Sequence, residues 1–509
     1  MGKSHLENPV IETQQLVGPL NRSLKENIAK LKAAFQSCDD INFLYIKPEN
    51  KSCLIYLSDI VSSQKLNELH QAFSSVGEAH DSLIKSCEAD RLPYQVSHVE
   101  SEWSALIEKI LLGYAILLTD GQERASTFNI SHPIGREVTT PEVERTVEGP
   151  KEGFVEQSQV NLHLIRQKIR TPSLKVNRLT LGTQTKTQIT ILYIEGIANE
   201  KIVQEVHKRL SRIKTDSILD SRYVQSMISD APFSPFPTML STERPDRVSA
   251  ELLEGKVAIL TDGSPSALVA PITFVEYLHS SEDYYNSSVV STIIRWVRFL
   301  GLFVALILPA FFVAVVTFHQ DLLQTPLLIR VAANRANLPY PALVEAIFMY
   351  LTYELLREAG LRMPKIFGGP IITILGLILI SQAAVTAGVI GPLMSIVVST
   401  TALTAFILPN YSFHQIIRFC GIPLLLLSGF FGFMGILVGL MFGLAHLVSL
   451  RSFGIPYLSP VSPSRKEGWK DVFFRVPWWA METLPPGLGI DNDKTNTKPP
   501  KRNGEDHFE

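Results

Sequence analysis

Long apolar runs almost free of charge dominate the second half of the chain and set its fold class. Four such runs occur, at residues 296–318, 371–391, 392–409 and 421–450, and the only charge within them is Arg298. A hydrocarbon core about 30 Å thick requires roughly 20 apolar residues in a helix, so each run can cross a bilayer, the third only just. A surface helix of a soluble domain would carry a polar face. The pattern predicts four transmembrane helices in a multi-pass α-helical membrane domain at 286–450.

Two leucines and two polar residues of the second run form a stripe along one helix face. Leu375, Leu379, Gln382 and Thr386 occupy positions i, i+4, i+7 and i+11, which share one side of a helix. The stripe is apolar at one end and polar at the other. Because an amide has no partner in lipid, two interpretations stay open. Gln382 makes a hydrogen bond between helices of the bundle, or the stripe lines a pore.

Glycines recur at a fixed interval in the last run. Gly435, Gly439 and Gly443 follow one another every four residues, a spacing that lets helix backbones approach closely. We therefore predict helix packing at this face in preference to a ligand site. His446 follows one turn later, and we predict that it lies at the membrane interface or is hydrogen-bonded within the bundle.

Residues 320–365, between the first two runs, have a mixed pattern. The stretch Leu343–Leu356 is apolar but contains Glu345 and Glu354, and it is too short to cross without burying a carboxylate. An interfacial or re-entrant segment is predicted. Glu354 precedes Arg357 by three residues, so local pairing is expected. Glu345 has no such partner after it and is a candidate contact for an ion or a partner protein.

The first half alternates short β-type runs with amphipathic stretches, and it contains an internal repeat. The string ILLGYAILLTDG at 110–121 matches LLEGKVAILTDG at 252–263, with the same spacing from glycine to aspartate. A matching strand and helix precede each string. The sequence predicts two related α/β subdomains, at 40–135 and 180–285.

The remaining segments are assigned from their composition. Residues 1–39 are predicted to be a flexible leader with a short helix, and 136–179 a linker that contains an amphipathic helix. Residues 451–483, which combine Gly, Pro and Ser with Trp, are predicted to run along the membrane surface. The end of the chain, 484–509, is rich in Pro, Asn and Lys and is predicted to be disordered.

Charge and motifs exclude several function classes. The formal net charge of −2 provides no domain-wide basic excess for nucleic acid. The four cysteines have no CxxC spacing, so we predict neither a disulfide framework nor a zinc site. The two Thr-Asp-Gly strings are typical of tight turns. With no catalytic triad or HExxH motif, the sequence predicts no enzyme, cofactor or metal.

Basic residues predict the orientation of the chain in the membrane. Arg295 and Arg298 flank the start of the first run, which by the positive-inside rule keeps the first half in the cytoplasm. With four spans, the region after residue 450 returns to the same side. Five basic residues of the intervening loop would then lie outside, which weakens this assignment; they are Arg330, Arg335, Arg357, Arg362 and Lys365.

A series of short strings carries a family resemblance. In order along the chain they are PEVE (141–144), GPKEGFVE (149–156), LIR (164–166), TERPD (242–246), DGSP (262–265), EDYY (282–285), IRWVR (294–298), REAGLRMP (357–364) and SFGIPYL (452–458). Over roughly residues 40–480 the chain resembles the A subunit of a GerA-type spore germination receptor. It departs from the family pattern at 319–326, where a proline is expected in place of Gln324 or Thr325.

The resemblance implies a multi-pass subunit of the inner spore membrane, with both terminal regions in the cytoplasm. It implies two partners, a transporter-like B subunit that is thought to hold the germinant and a lipoprotein C subunit. It also implies that copies of the A subunit assemble into a ring, which conducts monovalent cations when the germinant binds.

Three functional hypotheses follow. In a channel-forming receptor subunit, Leu375 and Leu379 would form an apolar constriction that closes by dewetting, and Gln382 and Thr386 would line a wider mouth. In a scaffold, the helices would only anchor the α/β part. A secondary transporter would show inverted repeats of broken helices with charges near the midplane, whereas the repeat in this chain lies in its first half.

Overall fold

The protein is described by a computed structural model that covers residues 18–46, 51–75, 98–131, 140–141, 144, 146, 148–362, 369–464 and 468–477. Two compact units make up these residues. The first lies within residues 1–232 and 239–272, and the second within 233–238 and 273–486. The first 17 residues of the predicted leader and the predicted disordered tail at 484–509 lie outside the described residues.

The first unit opens with a five-stranded antiparallel sheet whose strand order is β1-β2-β4-β5-β3. Its strands are β1 Ile41–Tyr45, β2 Ser52–Leu57, β3 His98–Glu100, β4 Tyr114–Thr119 and β5 Ala125–Asn129, and its helices are α1 Leu24–Ala34, α2 Ser63–Ser75 and α3 Trp103–Leu111. Successive side chains of a strand point to opposite faces. Ile55 and Ile116 therefore pack with α1 and α3, while Leu54 and Leu117 pack with α2.

The second sheet repeats the first strand for strand. Its order is β6-β7-β9-β10-β8, the same arrangement shifted by five strands. The strands are β6 Leu174–Leu181, β7 Thr187–Ile194, β8 Leu240–Thr242, β9 Val257–Thr261 and β10 Ala267–Ala270, and the helices are α4 Ser158–Lys168, α5 Glu200–Ser211, α6 Ser221–Ile228 and α7 Pro245–Leu253. The prediction of two related α/β subdomains is confirmed.

The repeat extends to the helix that precedes each sheet. The backbone N–H of Leu24, at the start of α1, donates to Asp120 Oδ1 over 3.0 Å, and that of Ser158, at the start of α4, donates to Asp262 Oδ1 over 3.1 Å. A carboxylate at a helix N-terminus satisfies a free N–H and is stabilised by the helix dipole. These aspartates belong to the two Thr-Asp-Gly turns. The turns therefore have a structural role, because each one caps the N-terminus of a helix.

The boundaries predicted from sequence differ from this arrangement. The sequence pattern places helix α1 in the predicted leader at 1–39 and helix α4 in the predicted linker at 136–179. Leu24, Ile28 and Leu31 of α1 are buried in the core of the first subdomain, and α4 holds the equivalent place in the second. Both helices are integral parts of their subdomains. A local sequence pattern does not reveal this, because the aspartate that caps each helix lies more than 90 residues away.

The second unit is helical. It contains α8 Glu282–Tyr285, α9 Ser288–Thr317, α10 Thr325–Arg335, α11 Ala342–Arg362, α12 Gly369–Thr386, α13 Pro392–Ala405, α14 Tyr411–Ser449 and α15 Trp469–Val472, with the short strands β11 Arg451–Ser452 and β12 Ile455–Pro456. Two helices of the described chain, Ser288–Thr317 and Ser412–Ser449, are long and apolar enough to cross a membrane.

Helix α14 folds back on itself at Gly432, where φ is 59° and ψ is −139°. A Cβ at Gly435 would lie 2.1 Å from the carbonyl oxygen of Leu427, and one at Gly439 would lie 2.7 Å from Leu424 Cδ1. Residues eight positions apart in a straight helix are separated by about 12 Å, so residues 411–431 and 433–449 form an antiparallel pair. The segment predicted as a single span, 421–450, therefore contains a reversal at Gly432, whose backbone conformation is unfavourable for residues other than glycine.

The three predicted packing glycines therefore differ in their surroundings. Gly435 and Gly439 lie where the two halves of α14 meet, rather than against a neighbouring helix. A Cβ at Gly443 would have no atom within 4 Å. The predicted close approach is present at two of the three positions, between parts of one hairpin.

Helix α11 runs antiparallel to the first half of α14. Leu343 lies against Gly429, and Tyr350 lies against Gly421, with its hydroxyl 3.0 Å from the position of a Cβ there. At 21 residues, α11 is about 31 Å long. The region predicted as interfacial or re-entrant, 320–365, thus contains a full-length packed helix, since the helix continues past the apolar stretch to Arg362.

Helices α12 and α13 form a hairpin beside α9 and α11. Thr373 Oγ1, early in α12, donates to the carbonyl oxygen of Leu356, late in α11, over 3.4 Å. Gly301, in the first half of α9, lies beside the carbonyl oxygen of Thr404 at the end of α13. From α9 through α11, α12, α13 and the two halves of α14, the chain therefore alternates in direction.

Candidate functional site

The stripe predicted on α12 lies on the exposed face of that helix. Leu375 and Leu379 are 53% and 69% exposed, and Gln382 and Thr386 are also exposed. Thr386 Oγ1 donates to the carbonyl oxygen of Gln382 over 2.8 Å, so this hydroxyl is bonded within its own helix. The four side chains share one surface, which is free to face lipid, another copy of the chain or an aqueous path.

Glu345, the predicted ion or partner contact, lies in the interior of the helical unit with 1% exposure. Its Oε2 accepts a hydrogen bond from the Gly391 N–H over 3.0 Å, at the N-terminus of α13. Its Oε1 lies 3.4 Å from Arg335 Nη2. The carboxylate thus caps one helix and pairs with another, which explains how α11 can bury it. The cation comes ten residues earlier in the chain, outside the spacing of a local helix pair.

A cluster of charges joins the end of α11 to α14. Glu354 Oε2 accepts from Arg357 Nη2 over 2.9 Å, the local pair that the sequence predicts. Glu354 Oε1 accepts from Arg418 Nη1 over 2.8 Å. Arg418 is not among the residues predicted from the sequence, although its position just before an uncharged run is a signal of an interhelical pair.

The arginines used to assign orientation are bound by carboxylates. Arg295 Nε donates to Asp283 Oδ2 over 3.2 Å, and Arg298 Nη1 donates to the same oxygen over 2.7 Å. Arg295 Nη1 also donates to Asp471 Oδ1 over 2.8 Å, and Tyr284 donates to Asp471 Oδ2 over 2.7 Å. Because Asp283, Arg295 and Arg298 are buried, the network fixes α8, α9 and α15 together.

Two ion pairs join the subdomains of the first unit. Arg166, on α4, donates to Asp40 over 2.8 Å, and both side chains are fully buried. Arg178, on β6, binds Asp59, which follows β2. Burial raises the pKa of Asp59 to about 6, although Arg178 opposes the shift. More than 100 residues separate the partners, so sequence spacing could not indicate them.

The raised pKa of Asp59 predicts a pH dependence of stability. A raised pKa means that the folded state binds the proton more tightly, so the free energy of unfolding falls as pH rises from about 4 to about 6. The contribution is about 3 kcal/mol. In thermal melts of the purified protein between pH 4 and pH 7, Asp59→Asn should flatten this decline, and Glu108→Gln, at an exposed position of α3, should leave it intact. Equal slopes for Asp59→Asn and the unmodified protein would contradict this prediction.

The described residues contain no group of three or more His, Cys, Asp or Glu side chains placed to hold a metal ion. The carboxylates of Glu354 and Glu345 are each paired with an arginine. What the helical unit offers instead is a set of paired charges among apolar helices and an exposed, uncharged stripe on α12.

Comparison with known proteins identifies relatives of this chain. The family model described as Bacillus/Clostridium GerA spore germination protein matches residues 29–486. The chain is 39% identical over 484 residues to the uncharacterized membrane protein YfkQ of Bacillus subtilis (strain 168), with 94% of each chain covered. It is 38% identical to spore germination protein KA of the same organism, with 94% of this chain and 89% of that protein covered.

One solved structure is also similar to the first half of the chain. It is the crystal structure of the N-terminal domain of the A subunit of the Bacillus megaterium spore germinant receptor GerK3. The sequences are 31% identical, the TM-score is 0.38, and the match covers 51% of this chain and 98% of that domain.

The fold and the charged helical unit define a two-part protein, in which a duplicated α/β unit precedes a bundle of apolar helices. The chain belongs to the GerA family of spore germination proteins, as its match over residues 29–486 establishes. The resemblance carried by the short sequence strings is thereby confirmed.

Proposed function

We propose that the protein is the A subunit of a spore germinant receptor, which responds to nutrients and initiates germination. The observation that carries this proposal is the family match over nearly the whole chain, together with relatives named as spore germination proteins. The subunit acts in the membrane with a transporter-like B subunit, which holds the germinant, and a lipoprotein C subunit.

In this proposal the helical unit crosses the inner spore membrane in six passes. The alternating directions of α9, α11, α12, α13 and the two halves of α14 support this number, which places both ends of the unit on one side. Arg295, Arg298, Arg357 and Arg418 lie toward that side, whereas Arg330 and Arg335 lie toward the other. This bias supports a cytoplasmic location for both terminal regions.

The conducting path, in the same proposal, forms when copies of the chain assemble into a ring. The exposed stripe on α12 supports this assignment, because an uncharged face that changes from leucine to polar groups suits a pore with a dewetting gate. Leu375 and Leu379 form the constriction, and Gln382 and Thr386 line its mouth. Germinant binding to the B subunit opens it to monovalent cations.

Truncation of the constriction tests this proposal. Leu375→Ala and Leu379→Ala remove apolar volume from the gate, so spores that carry either variant should leak cations or germinate without nutrient. Leu444→Ala removes an equally exposed leucine from the second half of α14 and should behave as wild type. The measurements are potassium release and loss of refractility in the absence of germinant.

Normal dormancy and a normal nutrient response in both α12 variants would overturn the assigned pore. The purified oligomer in a planar bilayer provides a second measurement, since a silent bilayer from well-folded protein would favour a scaffold role. Either result leaves membership of the receptor unaffected.

A further inference from the structure

A cavity opens beside the charged cluster at one end of the helical unit. Its volume is about 450 Å³, and its lining includes Glu354, Arg357, Gln415, Arg418, Phe419 and Ile422. We name it the arginine pocket. The charged side chains come from two helices, α11 and α14, so that anything bound in the pocket contacts both.

The arginine pocket has an excess of positive charge. Arg357 and Arg418 share the carboxylate of Glu354. The neighbouring Glu358 lies 3.9 Å from Arg357 but only 2.8 Å from Arg362. Glu358 therefore pairs mainly with Arg362 outside the pocket. Among the side chains that line the pocket, two arginines face one glutamate, which is an excess of one positive charge.

Arg418 also has unused hydrogen-bonding capacity. It is 4% exposed, and its Nε has no hydrogen-bond partner within the described part of the chain. A buried donor without a partner is costly, more so when the group is charged. An anionic oxygen is the acceptor that best satisfies a guanidinium, since such bonds are short and charge-assisted.

The other wall of the pocket is apolar and continues onto the surface. Ile416, Phe419 and Ile422 follow one another every three residues along α14, and Phe419 is 66% exposed. Gln415 is exposed at the mouth. A free inorganic anion would make no use of this wall, whereas an anion attached to an acyl chain would cover it.

We propose that the arginine pocket binds the phosphate-bearing headgroup of an anionic phospholipid, with its acyl chains along Phe419 and Ile422. This inference rests on the proposed membrane location of the helical unit. Arginine recognises phosphate through a planar pair of donors, and basic pockets between transmembrane helices are sites for such headgroups. The bound lipid would link α11 to α14 and stabilise their contact.

The test uses the full-length protein purified in detergent, with bound lipids counted by native mass spectrometry and thermal unfolding measured after lipid addition. Phosphatidylglycerol should be retained and should raise the melting temperature, and phosphatidylcholine should do so much less. Gln415→Glu places a negative charge at the exposed mouth and should reduce phosphatidylglycerol occupancy about tenfold. Arg418→Gln should reduce it similarly.

Two variants serve as matched controls. Asn334→Glu adds the same charge at an exposed position of α10, and Arg362→Gln removes an arginine that is 77% exposed and does not line the pocket. Both should retain phosphatidylglycerol as the unmodified protein does. Because Gln415 is exposed, its variant should fold even if Arg418→Gln does not.

Equal retention of phosphatidylglycerol and phosphatidylcholine would overturn the proposal, as would an equal loss in Gln415→Glu and Asn334→Glu. Inorganic phosphate that reproduces the full rise in melting temperature would assign the pocket to a free anion and overturn it as well. Extraction of the protein from membranes by alkaline carbonate would contradict the membrane location itself, which is a separate failure.

Discussion

Gly435→Ala should prevent the helical hairpin of α14 from closing. The added Cβ would lie 2.1 Å from the carbonyl oxygen of Leu427, and a backbone atom cannot rotate away as a side chain can. Overpacking typically costs 1–3 kcal/mol, and this contact exceeds that range, so we expect a loss of more than about 3 kcal/mol in the free energy of unfolding. Thermal melts in detergent and the level of protein in spores measure the effect.

Gly443→Ala is the matched control, since it makes the same substitution eight residues later in the same helix. A Cβ at Gly443 meets no atom within 4 Å. Alanine is favoured over glycine in a helix by about 1 kcal/mol, so this variant should be as stable as the unmodified protein or slightly more. Similar melting temperatures for the two variants would show that the halves of α14 do not meet at Gly435.

Asp283→Asn should be strongly destabilising for an electrostatic reason. The substitution removes the carboxylate that binds both Arg295 and Arg298, which are buried at the start of α9. Breaking a buried ion pair by removing one partner costs about 3–5 kcal/mol, because the remaining charge is left uncompensated. Arg295 keeps Asp471, so the larger loss falls on Arg298.

Asp321→Asn is the control for this substitution, since Asp321 is exposed and a surface charge contributes little. Chemical denaturation of the full-length protein should separate the two variants clearly. A further check is salt: the effect of Asp283→Asn should persist at high ionic strength, because buried pairs are poorly screened. An effect that vanishes in salt, or one no larger than that of Asp321→Asn, would refute the buried network.

The repeat in the first half was predictable because it consists of short sequence patterns that occur twice. A helix-stopping glycine, a buried strand and a Thr-Asp-Gly turn recur with one spacing, and the strand order of both sheets agrees. The limits of the subdomains were not predictable in the same way. Helices α1 and α4 share little sequence, and the bonds that make them equivalent connect them to Asp120 and Asp262, about 100 residues later.

A finer signal for these helices exists in their asparagines. Asn27 Nδ2 donates to the carbonyl oxygen of Asn21, and Asn161 Nδ2 donates to that of Val155, each over 2.6 Å and each across six residues. An asparagine that bonds a loop six residues before it is a local feature. Aligning the sequences of α1 and α4 on Asn27 and Asn161 would have placed both helices inside the repeat.

The helical unit was predicted less well, because hydropathy records whether a segment is apolar but not where it turns. A continuous helix of 39 residues would be about 58 Å long, nearly twice the thickness of a hydrocarbon core. The length of α14 is therefore itself a signal of two passes. The partners of Glu345 and Glu354 lie on other helices, beyond the reach of a rule for neighbours in one helix.

The duplicated α/β unit has an evolutionary consequence. Its two subdomains are related copies that contact each other through different surfaces. The first subdomain contributes Asp40 to the contact and the second contributes Arg166. Contacts of this kind between separate copies do not close and can continue from one copy to the next. The second copy has Ser173 before its first strand, where the first has Asp40. The second subdomain therefore lacks the carboxylate with which the first binds Arg166, and a third subdomain could not be joined to it by the same ion pair.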